Sequence, residues 1–328
     1  MSRRAMLLLA AAGLVLMALV ALERMSRTPP PGVGDLLLPS LRGQVEQISV
    51  IAVFGADGQA TTLELRGSDW VVAELDDWPA DLDTLSALMR ALVAARRVEA
   101  MTSNPDRHAR LRVDDPRDDG AGTAVELSHN GDVTTVIIGD TQVQGGDYSY
   151  MRIAGDDRAW LVDVAPTPPV DSDAWLDRRL LDLPEAELSA FTISHADDDD
   201  VRLLRDENDA WTLEPPAERA VLHDRILAST AGGLAGLRFE RMVSGQDAPA
   251  APEHELEATT RDGDRWALAL WRDDGAHWLH VRWSGAGEVA EPPALAARTE
   301  TRAFTIAEHR YRQLTRRRDD LLASPDGD

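Results

Sequence analysis

The chain has 328 residues, 44% hydrophobic and 28% charged, which suits two modest folded domains and excludes a disordered tail. Its net charge is −23, and all 34 basic residues are arginine; such a field repels nucleic acid and anionic lipid headgroups, so neither is expected as a partner of the body. Cysteine is absent, which excludes disulfides, thiolate nucleophiles, thiolate metal sites and the acylated cysteine of a lipoprotein anchor.

Ala5 to Leu22 (AMLLLAAAGLVLMALVAL) is an uncharged apolar run. As a helix rising roughly 1.5 Å per residue it spans about 27 Å, close to the hydrocarbon thickness of a bilayer. Arg3 and Arg4 precede it, and Glu23, Arg24 and Arg27 follow with a smaller positive balance. The positive-inside rule predicts a single pass through the inner, cytoplasmic membrane, with a cytoplasmic N-terminus and a periplasmic or extracytoplasmic body. The competing reading is a cleaved signal peptide, but Leu19 and Ala21 spoil the obvious cleavage site before Leu22. Both readings export the body. Residues 1–27 are thus expected as cytoplasmic stub and anchor, and 28–44 as a linker stiffened by Thr28–Gly34 (TPPPGVG).

From there the chain reads as two tandem copies of one unit, at 45–165 and 189–285. In the first, strands Ile48–Phe54 and Thr61–Leu65 bracket the turn Gly55–Gly58. Trp70–Val72 follows, then Leu82, Leu85, Met89 and Leu92 at helical spacing, then Arg97-Val-Glu99. In the second, Phe191–Ile193 and Val201–Leu204 flank the acidic turn Asp197–Asp200. Trp211 and Leu213 follow, then Leu222, Ile226, Thr230, Gly233 and Leu237, then Arg238-Phe-Glu240. The two tryptophans and the two Arg-x-Glu triplets keep one common spacing. Each copy then continues into a meander. Val125–Leu127, Thr134–Ile138 and Tyr148–Ile153 answer His254–Glu257, Trp266–Trp271 and Trp278–Trp283. Asn130-Gly131 and Asp262-Gly263 supply the hairpin turns, which need positive φ. The fold class expected is α+β: a transmembrane helix, two antiparallel sheets each covered by a helix, and a C-terminal helix. Between the copies, 166–188 reads as a linker holding Pro166–Pro169 and the stretch Trp175–Asp182. In 286–328 a proline-rich linker leads to an amphipathic helix with Phe304, Ala307, Tyr311, Leu314, Leu321 and Leu322 on one face.

Catalytic signals are scarce, and no catalytic, cofactor-binding or metal-binding residue is assigned. Carboxylates number 57, so pairs of them close in sequence carry no information. Asp197–Asp200 and Asp206–Asp209 lack the glycine and distal glutamate of a calcium loop and read as solvated turns. His277 and His280 would face opposite sides of a strand and could not easily grip one ion. Gly232–Gly236 lacks the lysine of a phosphate loop, and Ser244 and Ser284 have no assignable base. Tryptophan carries mild interest. Trp70 and Trp211 read as packing residues, whereas Trp266, Trp271, Trp278 and Trp283 crowd one meander and form a candidate binding face for sugar or peptide. Arg310, Arg312, Arg316, Arg317 and Arg318 make a basic patch suited to the protein's own carboxylates, lipid headgroups or an acidic partner.

The order of these features resembles the bacterial domain-of-unknown-function 4340 family over roughly residues 45 to 322. The residues that carry the likeness are the N-terminal span, Trp70 with the helix around Leu85, Tyr148–Arg152, Trp160–Val162, Trp175–Leu181, Trp211–Leu213 and the closing Arg317–Leu322. Members of that family are often encoded beside the ATPase and permease of a gliding-type ABC transporter. The resemblance implies a non-catalytic membrane-anchored accessory or scaffold protein, with a permease or its extracytoplasmic subunit as partner. The alternative from the residues is an extracytoplasmic binding module for envelope polymer or solute; a third is a glycan-cleaving enzyme using paired carboxylates.

Overall fold

The computed structural model describes residues 31–142, 146–223, 225–245, 248–285 and 294–324. The anchor expected over 5–22 lies outside these residues. Among those described, no helix is long and apolar enough to cross a membrane. The protein is α+β, dominated by antiparallel sheets with few helices, and it divides into two compact units at Trp175/Leu176.

The first unit holds β1 (Ile48–Phe54), β2 (Ala60–Arg66), β3 (Asp69–Val72), β4 (Trp78–Pro79), β5 (Arg97–Ala100), β6 (Thr123–His129), β7 (Asp132–Gln142), β8 (Tyr148–Ile153) and β9 (Ala159–Val162). They form one sheet in the order β4-β3-β2-β1-β6-β7-β8-β9-β5. At the β6–β7 hairpin, Asn130 (φ 49°) and Gly131 (φ 87°) both adopt the left-handed conformation that a two-residue turn demands. Helix α1 (Leu82–Ala94) starts at Asp81, whose carboxylate accepts from the Asp83 amide and the Thr84 hydroxyl. It buries Leu85, Leu88 and Leu92, each worth about 1.5–3 kcal/mol relative to exposure. On the sheet's other face, the segment after β5 packs Val113 against Ala124, Ile137 and Ala159. There Gly139 lets β7 pass so close to that segment that an added Cβ would lie 2.1 Å from the Leu111 carbonyl oxygen.

Of the two stretches expected as linkers, residues 31–44 and 166–175 are packed into this unit, and 176–188 begin the second. Within 28–44, Leu37, Leu38 and Leu41 are buried, and the Leu37 amide donates to the Ala95 carbonyl. Within 166–188, the Thr61 hydroxyl donates to the Val170 carbonyl at 2.6 Å. Trp175 is fully buried, its indole N–H bonded to the Pro169 carbonyl at 2.8 Å. Burial of leucine and tryptophan outweighs the preference of the neighbouring prolines for an extended solvated chain.

The second unit begins with β10 (Arg179–Leu181), then β11 (Leu188–His195), β12 (Val201–Arg205), β13 (Trp211–Glu214) and helix α2 (Ile226–Ala231). β14 (Leu237–Arg238), β15 (Arg241–Ser244), β16 (His254–Thr260), β17 (Arg265–Asp273) and β18 (Ala276–Ser284) follow. Helix α3 (Ala294–Thr299), β19 (Arg302–Thr305) and helix α4 (Glu308–Leu314) close the unit. β10 pairs with β14, and the main sheet runs β13-β12-β11-β16-β17-β18-β19-β15. Phe191, Ile193, Val201, Leu203, Leu256, Leu268, Leu279 and Phe304 are buried along its inner face.

Two helical expectations are corrected here. The final helix does not run from Phe304 to Leu322. Phe304 sits in β19, which pairs with Trp278–His280 of β18 and with β15, so two flanking partners override the helical spacing of the side chains. The second unit's covering helix is also shorter than the pattern from Leu222 to Leu237. Leu222 is exposed, its amide bonded to the Leu321 carbonyl, and Leu237 belongs to β14. Backbone pairing with the C-terminal segment takes Val221 and Leu222 out of the helix.

Candidate functional site

The four tryptophans of the second meander do not share a face. Trp266 lies opposite Trp283 and Trp271 opposite Trp278, while Trp266 and Trp271 are an odd number of residues apart on one strand. Side chains alternate along a strand, so one pair points into the core and the other outward. Trp266, Trp271 and Trp278 are at most 9% exposed. The outward pair stacks with ring centroids 6.1 Å apart and is covered together with Ala303 and Ala248. Trp266, Trp271 and Trp278 fill space, and Trp283 is half-buried.

The basic C-terminal patch is consumed within its own unit. Arg317 binds Asp197 at 2.9 Å and Asp198 at 2.8 Å. Arg316 donates to the Ser229 and Thr230 hydroxyls, Arg310 to the Ala235 carbonyl, and Arg318 to the Glu214 and Pro215 carbonyls. Arg312 pairs with Glu308 one turn away. The turn at Asp197–Asp200 therefore holds an arginine. In the turn at Asp206–Asp209, the Asp206 carboxylate accepts from the Asn208 and Ala210 amides. His277 packs its ring against Tyr311, while His280 Nε2 bonds the Glu300 carbonyl on the other side of β18. Among the described residues, no group of three or more histidine, aspartate or glutamate side chains is placed to hold a metal ion.

Two arrangements stand out that no sequence motif marks. The first is an apolar recess of about 230 Å³ in the first unit, between α1 and the β1–β3 side of the sheet. Val45, Ile48, Ile51, Trp70, Leu82 and Leu85 line it, with Ser86 and Met89 from the helix. Leu82 is 54% exposed and Val45 37%, which is unusual for such side chains standing together. The periodicity of α1 includes Leu82 and Met89, but it cannot distinguish a residue on the core side of the stripe from one left at its rim.

The second arrangement is a buried polar cluster at the end of the inner row of the second sheet. His195 closes β11 and His254 opens β16, directly opposite each other. Their Nδ1 atoms are 2.9 Å apart, with the rings edge-on, and the residues are 8% and 7% exposed. One Nδ1 must therefore carry the proton and the other accept it. Burial, followed by the charge of its neighbour His195, pushes His254 down to about 4, and burial lowers His195 as well. Beside them the Tyr311 hydroxyl donates to Glu253 at 3.2 Å, and Arg272 holds the same carboxylate at 2.8 Å. Burial and then that carboxylate raise the Tyr311 phenol. Glu253 is held low because bonds from Arg272 and Tyr311 outweigh its own burial.

The family model described as "Domain of unknown function (DUF4340)" matches residues 70–259, from β3 of the first unit into β16 of the second. No curated protein and no solved structure matches the chain.

Proposed function

The chain belongs to the DUF4340 family, and on that footing we propose that it is a non-catalytic, membrane-tethered accessory or scaffold protein of the cell envelope. In this reading the run Ala5–Leu22 is the tether and the body works on the extracytoplasmic side. Its partner is the permease of an ABC-type transport complex, or that complex's extracytoplasmic subunit.

The observation that carries the proposal is the open recess beside α1. The histidine pair and the C-terminal arginines are engaged within the protein itself, the former with each other and the latter with nearby carboxylates, hydroxyls and carbonyls. At the recess, by contrast, Leu82 and Val45 stay in water. The lining is almost wholly apolar, so the occupant it suits is an apolar polypeptide segment such as one at the edge of a transmembrane helix. We read the two units as copies of one module. The shared order of a three-strand meander, a helical crossover and a second meander supports this, as does the common spacing of Trp70 and Trp211 with Arg97 and Arg238.

Gentle cross-linking in native membranes, detergent extraction and purification test the role. Recovery of an ABC permease or its extracytoplasmic subunit is the expected result. Recovery of this chain alone, with transport components present in the same membranes, would defeat the proposal.

A further inference from the structure

We propose that the buried imidazole pair His195–His254 is an acid-operated latch on the C-terminal segment 307–322. Two protons entering the pair drive the rings apart and free that segment from its own unit. The latch belongs to the second unit and is independent of the recess and its partner.

The geometry makes the pair intolerant of a second proton. With Nδ1 facing Nδ1 at 2.9 Å, the neutral pair shares one hydrogen. A first added proton can sit on an outer nitrogen and leave that bond in place. A second puts an N–H on both facing atoms and two positive charges on rings 4.9 Å apart, in a site with little water. A backbone hydrogen bond from Arg316 favours protonation of His195, but burial outweighs it and leaves the ring's proton affinity lowered.

The surroundings decide what moves. The charged and titratable groups facing the pair come from five places. The turn after β11 supplies Asp197 and Asp198, and the entry to β16 supplies Glu253. Arg272 comes from β17 and His277 from β18. The C-terminal segment brings Tyr311, Arg317 and the Arg316 backbone. The three carboxylates would soften a charged pair, but each is already engaged, Asp197 and Asp198 by Arg317 and Glu253 by Arg272 and Tyr311. The strands that carry the histidines are locked by ladders on both sides: β11 between β12 and β16, and β16 between β11 and β17. The C-terminal segment is held mainly by side chains and by one isolated bridge, Val221 to Leu322. Its Tyr311 ring lies against both His254 and His277. Strain in the pair is therefore relieved by displacing Tyr311 together with the residues C-terminal to it. Both lowered imidazole affinities agree with this direction, because the folded, latched state favours the neutral rings.

Hydrogen exchange of the full chain, read as protection factors so that the intrinsic pH dependence of exchange cancels, tests the latch. Between pH 7.5 and 4.5, protection over 307–322 is expected to fall at least tenfold while β11 and β16 of the same unit, and α1 of the other, keep their protection; an equal fall over β11 and β16 would refute the latch. His254→Gln, which retains a hydrogen-bonding side chain but takes up no proton in that range, should abolish the pH dependence; His195→Gln is the second such variant. Constant protection of 307–322 in the wild type, or an equal fall in a folded glutamine variant, would overturn the proposal. If neither variant folds, the wild-type profile decides: a local fall supports the latch, and a flat profile or a fall shared equally by α1 refutes it.

Discussion

Replacing Trp175 by alanine should unfold the first unit far more readily, although the residue lies in a stretch whose prolines suggest a loose connection. Trp175 is fully buried, and its indole N–H donates to the Pro169 carbonyl at 2.8 Å. Its own carbonyl accepts from the amide of Asp81, the residue that caps α1. Truncating a buried tryptophan to alanine costs about 3–5 kcal/mol, made of lost transfer energy and the cavity left behind. Trp175→Phe keeps most of the ring and loses the donor, so it should cost about 1–3 kcal/mol, the scale of a buried carbonyl left without its partner. With a urea slope of about 2 kcal/mol per molar, the alanine variant should unfold about 2 M earlier and the phenylalanine variant about 1 M earlier. Circular dichroism in urea on the full chain in detergent gives the midpoints, and hydrogen exchange of α1 assigns the loss to the first unit. An alanine variant within about 1 kcal/mol of wild type would show that 166–175 merely drapes the unit, and would refute its assignment to the core.

Gly139→Ala should destabilise the same unit by about 1–3 kcal/mol, since the added methyl meets the Leu111 carbonyl oxygen and the Val113 side chain; a thermal melt checks it. Phe304→Ala should cost about 3–5 kcal/mol and expose both β15 and β18 to exchange, because β19 lies between them; a helical Phe304 would leave those strands protected. Lowering the pH should weaken the second unit through His254. Its folded affinity for a proton, at about 4, is below its ordinary 6.5, so its contribution is complete above pH 6.5 and lost as the pH falls through about 4. The midpoint of thermal unfolding between pH 8 and 4 reads this, and His254→Gln should flatten that part of the profile. Leu82→Asp, at an exposed position, should leave the melting temperature nearly unchanged and reduce recovery of the cross-linked partner severalfold.

The parts of the fold readable from residues were those set by local chemistry. Asn130-Gly131 specifies a hairpin because few other pairs accept two positive φ angles in succession, and the helical spacing of Leu82, Leu85, Met89 and Leu92 specifies α1. The parts that were not readable depend on partners distant in the chain. Arg302–Thr305 becomes a strand only because Arg241–Ser244 and Trp278–His280 flank it, and the spacing of Phe304, Ala307 and Tyr311 is silent on that. His195 and His254 meet through strand pairing across 59 residues, with no motif to join them. The tryptophan face was a different failure. The odd spacing of Trp266 and Trp271 on one strand already separates them onto opposite sides, so alternation alone argues against a common surface. The recess lay half in view: its helical residues follow the stripe of α1, but the exposure of Leu82 depends on how far the sheet extends beneath it.

The proposed role stands or falls with a partner polypeptide in the recess beside α1. A photo-crosslinking amino acid at position 82, introduced in the full chain in its native membrane, tests this directly. The account predicts a discrete adduct with a transport-complex subunit that is absent when the same group is placed at exposed Val133 or Leu222. Adducts of equal yield at all three positions, or none at position 82, would contradict it.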